Sequence, residues 1–258
     1  MQTRMKIYFL GTNGWYTNEN GNTPSILIDS TDHYVIIDAG NGFYKLDKYI
    51  TTDKPVSLFI SHFHLDHVSG LHTLAKFQFT KGLDVYVGQG RAIDFECLVS
   101  PPYTVGIHED PKNIAHLSMD IRLHELTDGD HAVPFPVSVI EQFHAYRDHG
   151  YRITLEDKVI AYSGDCGISE TSSKLAKDAD ILIHECSYRE SNDNDTWGHV
   201  DPTQAATLAK ENSVKKLVLT HFDPTKYKTL EDRKAAEKKA QAIFGNTVYA
   251  VDDMEVTL

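Results

Sequence analysis

The chain has little of what would mark a membrane, disulfide-stapled or polyanion-coating protein. No apolar run reaches the ~18 residues that a membrane-crossing helix requires. Cys97, Cys166 and Cys186 are odd in number, far apart and without a Cys-x-x-Cys pair, so a disulfide scaffold is excluded and all three are expected as thiols. Positive charge is scarce. With 25 Lys and Arg against 37 Asp and Glu, the net charge is −12, and a polyanionic substrate would have to be drawn by a local feature such as bound metal. Residues 1–10 lack the apolar stretch and small-residue cleavage site of a secretory leader, so the cytoplasm is the expected compartment, with no membrane partner. No segment repeats at a period of ~20–50 residues, and no low-complexity linker divides the chain.

What is present is the composition of a globular enzyme. Apolar residues make up 41% and charged residues 24% of 258 residues, enough to bury a sizeable core, and we expect one domain over residues 1–258. Short β-rich runs at 6–10, 25–29, 34–38 and 56–60 are separated by turn residues, and a second series follows at 137–140, 150–155, 159–162, 181–183 and 216–219. A further strand is expected at 85–87. Helical spacing is read at 44–50, 69–79, 92–98, 203–211 and 231–243. Between them, 100–118 is interrupted by Pro101, Pro102 and Pro111 and is expected to form an irregular, lid-like excursion. Two β-rich halves with helices between them imply an α/β class of two packed sheets covered by helices.

Histidine is the unusual residue, at 14 copies. Ser61-His62-Phe63-His64-Leu65-Asp66-His67 follows the strand ending at Ile60 and crowds three imidazoles and a carboxylate onto one loop. An extended start points His62 and His64 to the same side, and the turn into the next helix can bring Asp66 and His67 towards a second, neighbouring ion. One loop cannot close two sites. His144, Asp165 and His221 each follow an apolar run, where residues at successive strand ends can converge along one sheet edge. A lone His144 or His221 would be an ordinary turn or core residue; the combination is not. Imidazole and carboxylate donors suit zinc and admit manganese or iron.

The pattern His62-x-His64-x-Asp66-His67, with His144, Asp165 and His221 in that order, resembles the metallo-β-lactamase superfamily across nearly the whole chain. The resemblance implies a four-layer αββα sandwich and two divalent metal ions. One would be held by His62, His64 and His144, and a second by Asp66, His67 and His221, with Asp165 bridging them. Asp66 would also accept a proton from the attacking water. Within the superfamily the chain looks like ribonuclease Z and its phosphodiesterase relatives. Phe9-Leu10-Gly11-Thr12, Ile37-Asp38-Ala39-Gly40, Tyr162-Ser163-Gly164-Asp165-Cys166, the segment 179–185 and Gly198-His199-Val200-Asp201-Pro202 occur in that family's order. By this likeness His199 is the candidate acid for the leaving oxygen and Glu185 its supporting carboxylate. The likeness also admits a homodimer in which a partner subunit borders the site.

The chain departs from ribonuclease Z where transfer RNA would be gripped. There is room for only a modest excursion between Val87 and Val137 rather than a long exosite arm, and residues 13–24 contain no Lys or Arg. A small or cyclic phosphodiester is therefore the expected substrate, with RNA as the larger version of the same chemistry. Alternatives are a carbon-ester hydrolase of the lactonase or β-lactamase kind, an iron redox enzyme on the same scaffold, and a non-catalytic binding protein. Cys166, Cys186 and His184 read as core residues, and His33, His72, His108, His116, His124, His131 and His149 have no partner at metal spacing, although His108 and His116 lie in the excursion and can reach the site mouth.

Overall fold

Runs of strands are interspersed with helices in a computed structural model, which describes residues 5–104, 119–190 and 196–258. The first half runs β1 (Lys6–Gly11), β2 (Ser25–Asp29), β3 (Tyr34–Ile37), β4 (Val56–Phe59), the single-turn α1 (Leu65–Val68), β5 (Leu83–Gly88), α2 (Ala92–Leu98) and β6 (Ile121–Leu126). The second half runs β7 (Gly129–Val133), β8 (Phe135–Gln142), β9 (Asp148–Leu155), β10 (Lys158–Tyr162), α3 (Glu170–Ala176), β11 (Ile181–Glu185), α4 (Pro202–Glu211), β12 (Leu217–Thr220), α5 (Leu230–Gln241), β13 (Thr247–Tyr249) and β14 (Met254–Thr257).

These strands form two seven-stranded sheets, ordered β14-β1-β2-β3-β4-β5-β6 and β13-β12-β11-β10-β9-β8-β7. Each sheet is antiparallel on one side and parallel on the other, and its central strands are covered on both faces. That is why Tyr34-Val35-Ile36-Ile37 and Ile181-Leu182-Ile183 read as unbroken apolar runs rather than alternating ones. Alternation decides the layer: Val35, Ile37, Ile181 and Ile183 enter the core between the sheets, Tyr34 and Ile36 face the helical turns outside the first sheet, and Leu182 faces α3 to α5 outside the second. The result is the expected four-layer αββα sandwich. Between the sheets Phe59 stacks on Tyr86 at 4.6 Å and meets Tyr151 edge-on at 5.2 Å. Truncating Phe59 to alanine would cost about 3–5 kcal/mol.

Helix starts follow local chemistry. Asp201 caps α4 by accepting from the backbone N–H of Thr203 and Gln204, Gln204 reaches back to the Asp201 N–H, and Pro202 sits where no N–H is needed. Losing the Asp201 carboxylate would cost about 1 kcal/mol. The helices expected at 44–50 and 69–79 are instead 3-10 turns at Asn41–Lys48 and Ser69–Lys76. They lie against one another, where the tighter coil brings Gly70 against the Gly40 carbonyl. Besides the single turn α1, five elements among the described residues were not expected from spacing. They are α3, entered through a Ser169–Ser172 capping box, and the short or edge strands β6, β7, β13 and β14. All three cysteines are free thiols, Cys166 and Cys186 buried and Cys97 exposed. Of the excursion expected at 100–118, residues 105–118, with His108 and His116, lie outside the described residues. No helix among the described residues is long and apolar enough to cross a membrane.

Candidate metal centre

The parallel strands β3 to β6 and β10 to β13 end at one rim of the sandwich, and the polar residues beyond those ends meet there, as is usual for ligand sites in open α/β sheets. Ser61 to His64 continue from β4, and α1 turns Asp66 and His67 back over the rim. His144 lies two residues beyond β8, Asp165 three beyond β10, and His221 immediately after β12. The seven expected donors are therefore brought together. The ring centroids of His62 and His64 are 4.6 Å apart, those of His62 and His144 5.3 Å, and those of His67 and His221 5.0 Å. Donor atoms of His62, His64 and His144 lie within 4.8 Å of one another, as do those of Asp66, His67 and His221. Asp165 sits between the groups, with Oδ1 3.4 Å from His67 Nε2 and 3.2 Å from His221 Nε2.

The hydrogen bonds behind the rings decide which nitrogen faces the centre. A carbonyl can only accept, so His144 Nδ1 donates to the Tyr146 carbonyl at 3.1 Å. His67 Nδ1 donates to Asp38 Oδ2 at 2.8 Å, and His62 Nδ1 lies 2.6 Å from Asp148 Oδ2. Ser187 donates its hydroxyl hydrogen to the His221 carbonyl and so accepts from His221 Nδ1 at 2.9 Å. Four imidazoles thus turn Nε2 inward. His62 Nε2, His144 Nε2 and Asp165 Oδ1 are buried without a hydrogen-bond partner, and the Nε2 atoms of His67 and His221 face each other at 3.1 Å. Buried imidazole lone pairs and carboxylates aimed at common points fit a pair of divalent ions, because a cation answers both the unmade bonds and the like charge.

The electrostatics of the two groups differ. Burial, reinforced by neighbouring imidazoles, pushes His62 and His64 down to about 4, and burial pushes His144 down. For His67 and His221 burial also opposes the charge, but Asp165 and the carboxylates around it win and both are pushed up. Asp66 is buried against its charge, yet His67 and His221 hold its carboxyl well below the usual range.

Sequence reasoning did not assign the supporting carboxylates Asp38 and Asp148. Asp38, at a left-handed φ of 58°, also accepts from the Ser61 amide and hydroxyl and from the Tyr162 hydroxyl. Its place in Ile37-Asp38-Ala39-Gly40, just past a strand, was the available signal. Asp148, only four residues from His144, carried none. Glu185 is fully buried, and its Oε1 accepts from His199 Nδ1 at 3.0 Å and from the Val200 amide at 3.1 Å, while Oε2 takes the Ser187 amide. Gly198, at φ +81°, lets this loop lie on the backbone of Phe143 and His144; a Cβ there would meet the Phe143 carbonyl oxygen at 2.3 Å. The His199 ring stands 5.5 Å from His144 and 6.2 Å from His221, beside the donor cluster. A donor atom of His199 also falls within 4.8 Å of His144 and Asp165. His184 is a core residue, bonded to the Glu185 carbonyl and near Cys166 Sγ.

A cavity of about 680 Å³ opens over the cluster, lined by Asp66, Asp165, His199 and His221 and walled by Trp15, Leu65, Tyr188 and Trp197. Among the described residues, Lys226, paired with Asp223, is the one Lys or Arg in that lining. The fold, the donor set and the cavity define a protein of the metallo-β-lactamase kind, and the chain belongs to that superfamily: residues 33–222 match the family described as "Beta-lactamase superfamily domain". Among individual proteins it is similar to "Probable metallo-hydrolase YhfI" of Bacillus subtilis (strain 168), 27% identical over 84% of this chain and 87% of that one. It is also 25% identical to the ribonuclease Z of Archaeoglobus fulgidus over 97% of each chain. The crystal structure of Bacillus subtilis YhfI superposes with a TM-score of 0.79 at 21% identity, covering 99% of this chain and 100% of that one.

Proposed function

We propose that this chain is a metal-dependent hydrolase of phosphodiesters, acting on small or cyclic phosphodiesters. The observation that carries the reading is the buried Glu185 carboxylate holding His199 beside the donor cluster. Cleaving a phosphodiester expels an alkoxide, which leaves slowly unless protonated, and an imidazole oriented by a carboxylate can carry and deliver that proton. Hydrolysis of a carbon ester would call first for a donor to the carbonyl oxygen. The name of the ribonuclease Z relative supports phosphodiester chemistry, and the cavity has the size of a small-molecule site.

In this reading His62, His64 and His144 hold one divalent ion, Asp66, His67 and His221 a second, with Asp165 between them. The donor set suits Zn²⁺ and accommodates Mn²⁺ or iron. When bound, such ions supply Lewis-acid polarisation and acidify water. The chain's own residues do the rest. Asp38, Asp148 and Ser187 fix the rings, Asp66 accepts a proton from the attacking water, and His199, held at Nδ1 by Glu185, gives one to the leaving oxygen. Trp15, Leu65 and Trp197 receive the apolar part of the substrate. A homodimer belongs to the same reading and is checked by light scattering.

The test compares two phosphodiesters in protein of measured metal content. A nucleoside 2′,3′-cyclic phosphate expels an alkoxide, whereas bis(p-nitrophenyl) phosphate expels an acidic phenol that needs little protonation. His199→Ala is expected to slow the first by about 100-fold or more and the second far less, with metal content unchanged. Equal losses on both substrates, or turnover of a lactone or phenyl ester without either phosphodiester, would overturn the reading. Loss of an ion in His199→Ala would make His199 a ligand instead.

A further inference from the structure

His149 follows Asp148 on β9, and strand alternation turns its ring away from the centre just described. Its backbone amide donates to the Ser61 carbonyl, and its ring lies at the rim between the sheets, against the end of β5. Gly88 makes that place available: a Cβ there would stand 2.3 Å from His149 Cε1. The side chain is 2% exposed, and its Nε2 is buried with no hydrogen-bond partner. A buried imidazole nitrogen left without a partner opposes folding, and a ligand at that nitrogen removes the penalty.

Two carboxylates stand where that nitrogen points. Glu141 on β8 is the direct cross-strand partner of His149, and Asp128, just before β7, lies with Oδ1 4.0 Å from His149 Nε2. The cluster is braced from within, since the Glu141 amide donates to Asp128 Oδ1 at 2.9 Å and Arg147 Nε donates to Glu141 Oε2 at 3.0 Å. One donor atom from each of Asp128, Glu141 and His149 falls within 4.8 Å of the others. The carboxylates are about half exposed, at 48% and 49%, so the cluster opens to solvent on one side and closes on a buried imidazole on the other.

We propose that Asp128, Glu141 and His149 form a further divalent-cation site, separate from the centre at the strand ends. One imidazole with two carboxylates is a donor set for a first-row ion such as Zn²⁺ or Mn²⁺ rather than for an all-oxygen Ca²⁺ or Mg²⁺ site. The ion joins β8, β9 and the turn before β7, and so steadies the strand that presents Asp148 to His62.

The test is a count of ions. Full-length protein, stripped with chelator and dialysed to equilibrium against Zn²⁺, is compared with an Asp128→Asn/Glu141→Gln variant, whose changes are exposed and nearly isosteric, and with His149→Ala. Each is expected to bind one ion fewer per chain than the parent, and anomalous scattering at the zinc edge is expected to place a peak at His149 Nε2 in the parent alone. Equal ion counts in the parent and the double variant, or no peak beside His149, would overturn the proposal. A parent with two ions, both kept in the double variant, would leave the phosphodiesterase reading standing; a parent with one ion, lost in that variant, would do the reverse.

Discussion

The two halves of the candidate metal centre are built on opposite electrostatic plans. His62, His64 and His144 form a half of imidazoles alone, held towards their neutral form by burial. Asp66, His67 and His221 interleave imidazole with carboxylate and are backed by the fully buried Asp38. The first half offers lone pairs with little charge; the second carries charge that an ion must neutralise. A shared carboxylate, Asp165, is what makes one centre of two unlike halves.

Removing the shared element is the strongest way to break this comparison. Asp165→Ala is expected to strip metal from both halves and take turnover to background, read by metal analysis and a phosphodiester assay on the same sample. Next come His64→Ala and His221→Ala, each expected to lower the ion count of the centre by one. If either empties both halves, they are not separable. The supporting carboxylates should differ in kind. Asp148→Asn is expected to weaken metal binding by about 10–100-fold. Asp38→Asn should do the same and also lower stability by about 2 kcal/mol in denaturant unfolding, because Asp38 additionally holds Ser61 and Tyr162.

Smaller effects lie outside the donors. Trp15 is 66% exposed on the cavity wall while its amide donates to Asp66 Oδ2. Trp15→Ala keeps that amide, so KM should rise by about 5-fold, worth about 1 kcal/mol, with kcat little changed in steady-state assays. An ion pair far from both halves serves as a control. Hydrogen bonds from Arg122 hold the Asp84 carboxyl below the usual carboxylate range, with His124 contributing. A depressed carboxyl contributes stability above its unfolded value, near pH ~4, and loses it as pH falls through the folded value. The pair is partly exposed, so less than about 1 kcal/mol is expected, seen as a smaller acid-induced drop in Tm for Asp84→Asn than for the parent.

Local pattern made part of this legible in advance. The buried strands announced themselves as apolar runs, and His62 to His67 as donors on one loop, because strand alternation and a single helical turn are short-range geometry. The expected helices at 44–50 and 69–79 form instead as 3-10 turns that lie against one another, with Gly70 in close contact with the Gly40 carbonyl, a tertiary contact that spacing along the chain does not carry. Edge strands such as β6 and β14 were missed because pairing along one edge, more than their own composition, makes them strands.

By itself the sequence determined the donor types, their order along the chain and the sandwich class, since periodicity and residue chemistry are properties of the chain alone. Only the tertiary structure decided which carboxylate stands behind which ring. Asp38 reaches His67 because β3 lies parallel to β4, and Glu141 faces His149 because β8 and β9 pair in one register. A slip of one residue would send either side chain to the other face. Such contacts depend on register between strands, and no spacing along the chain encodes that distance.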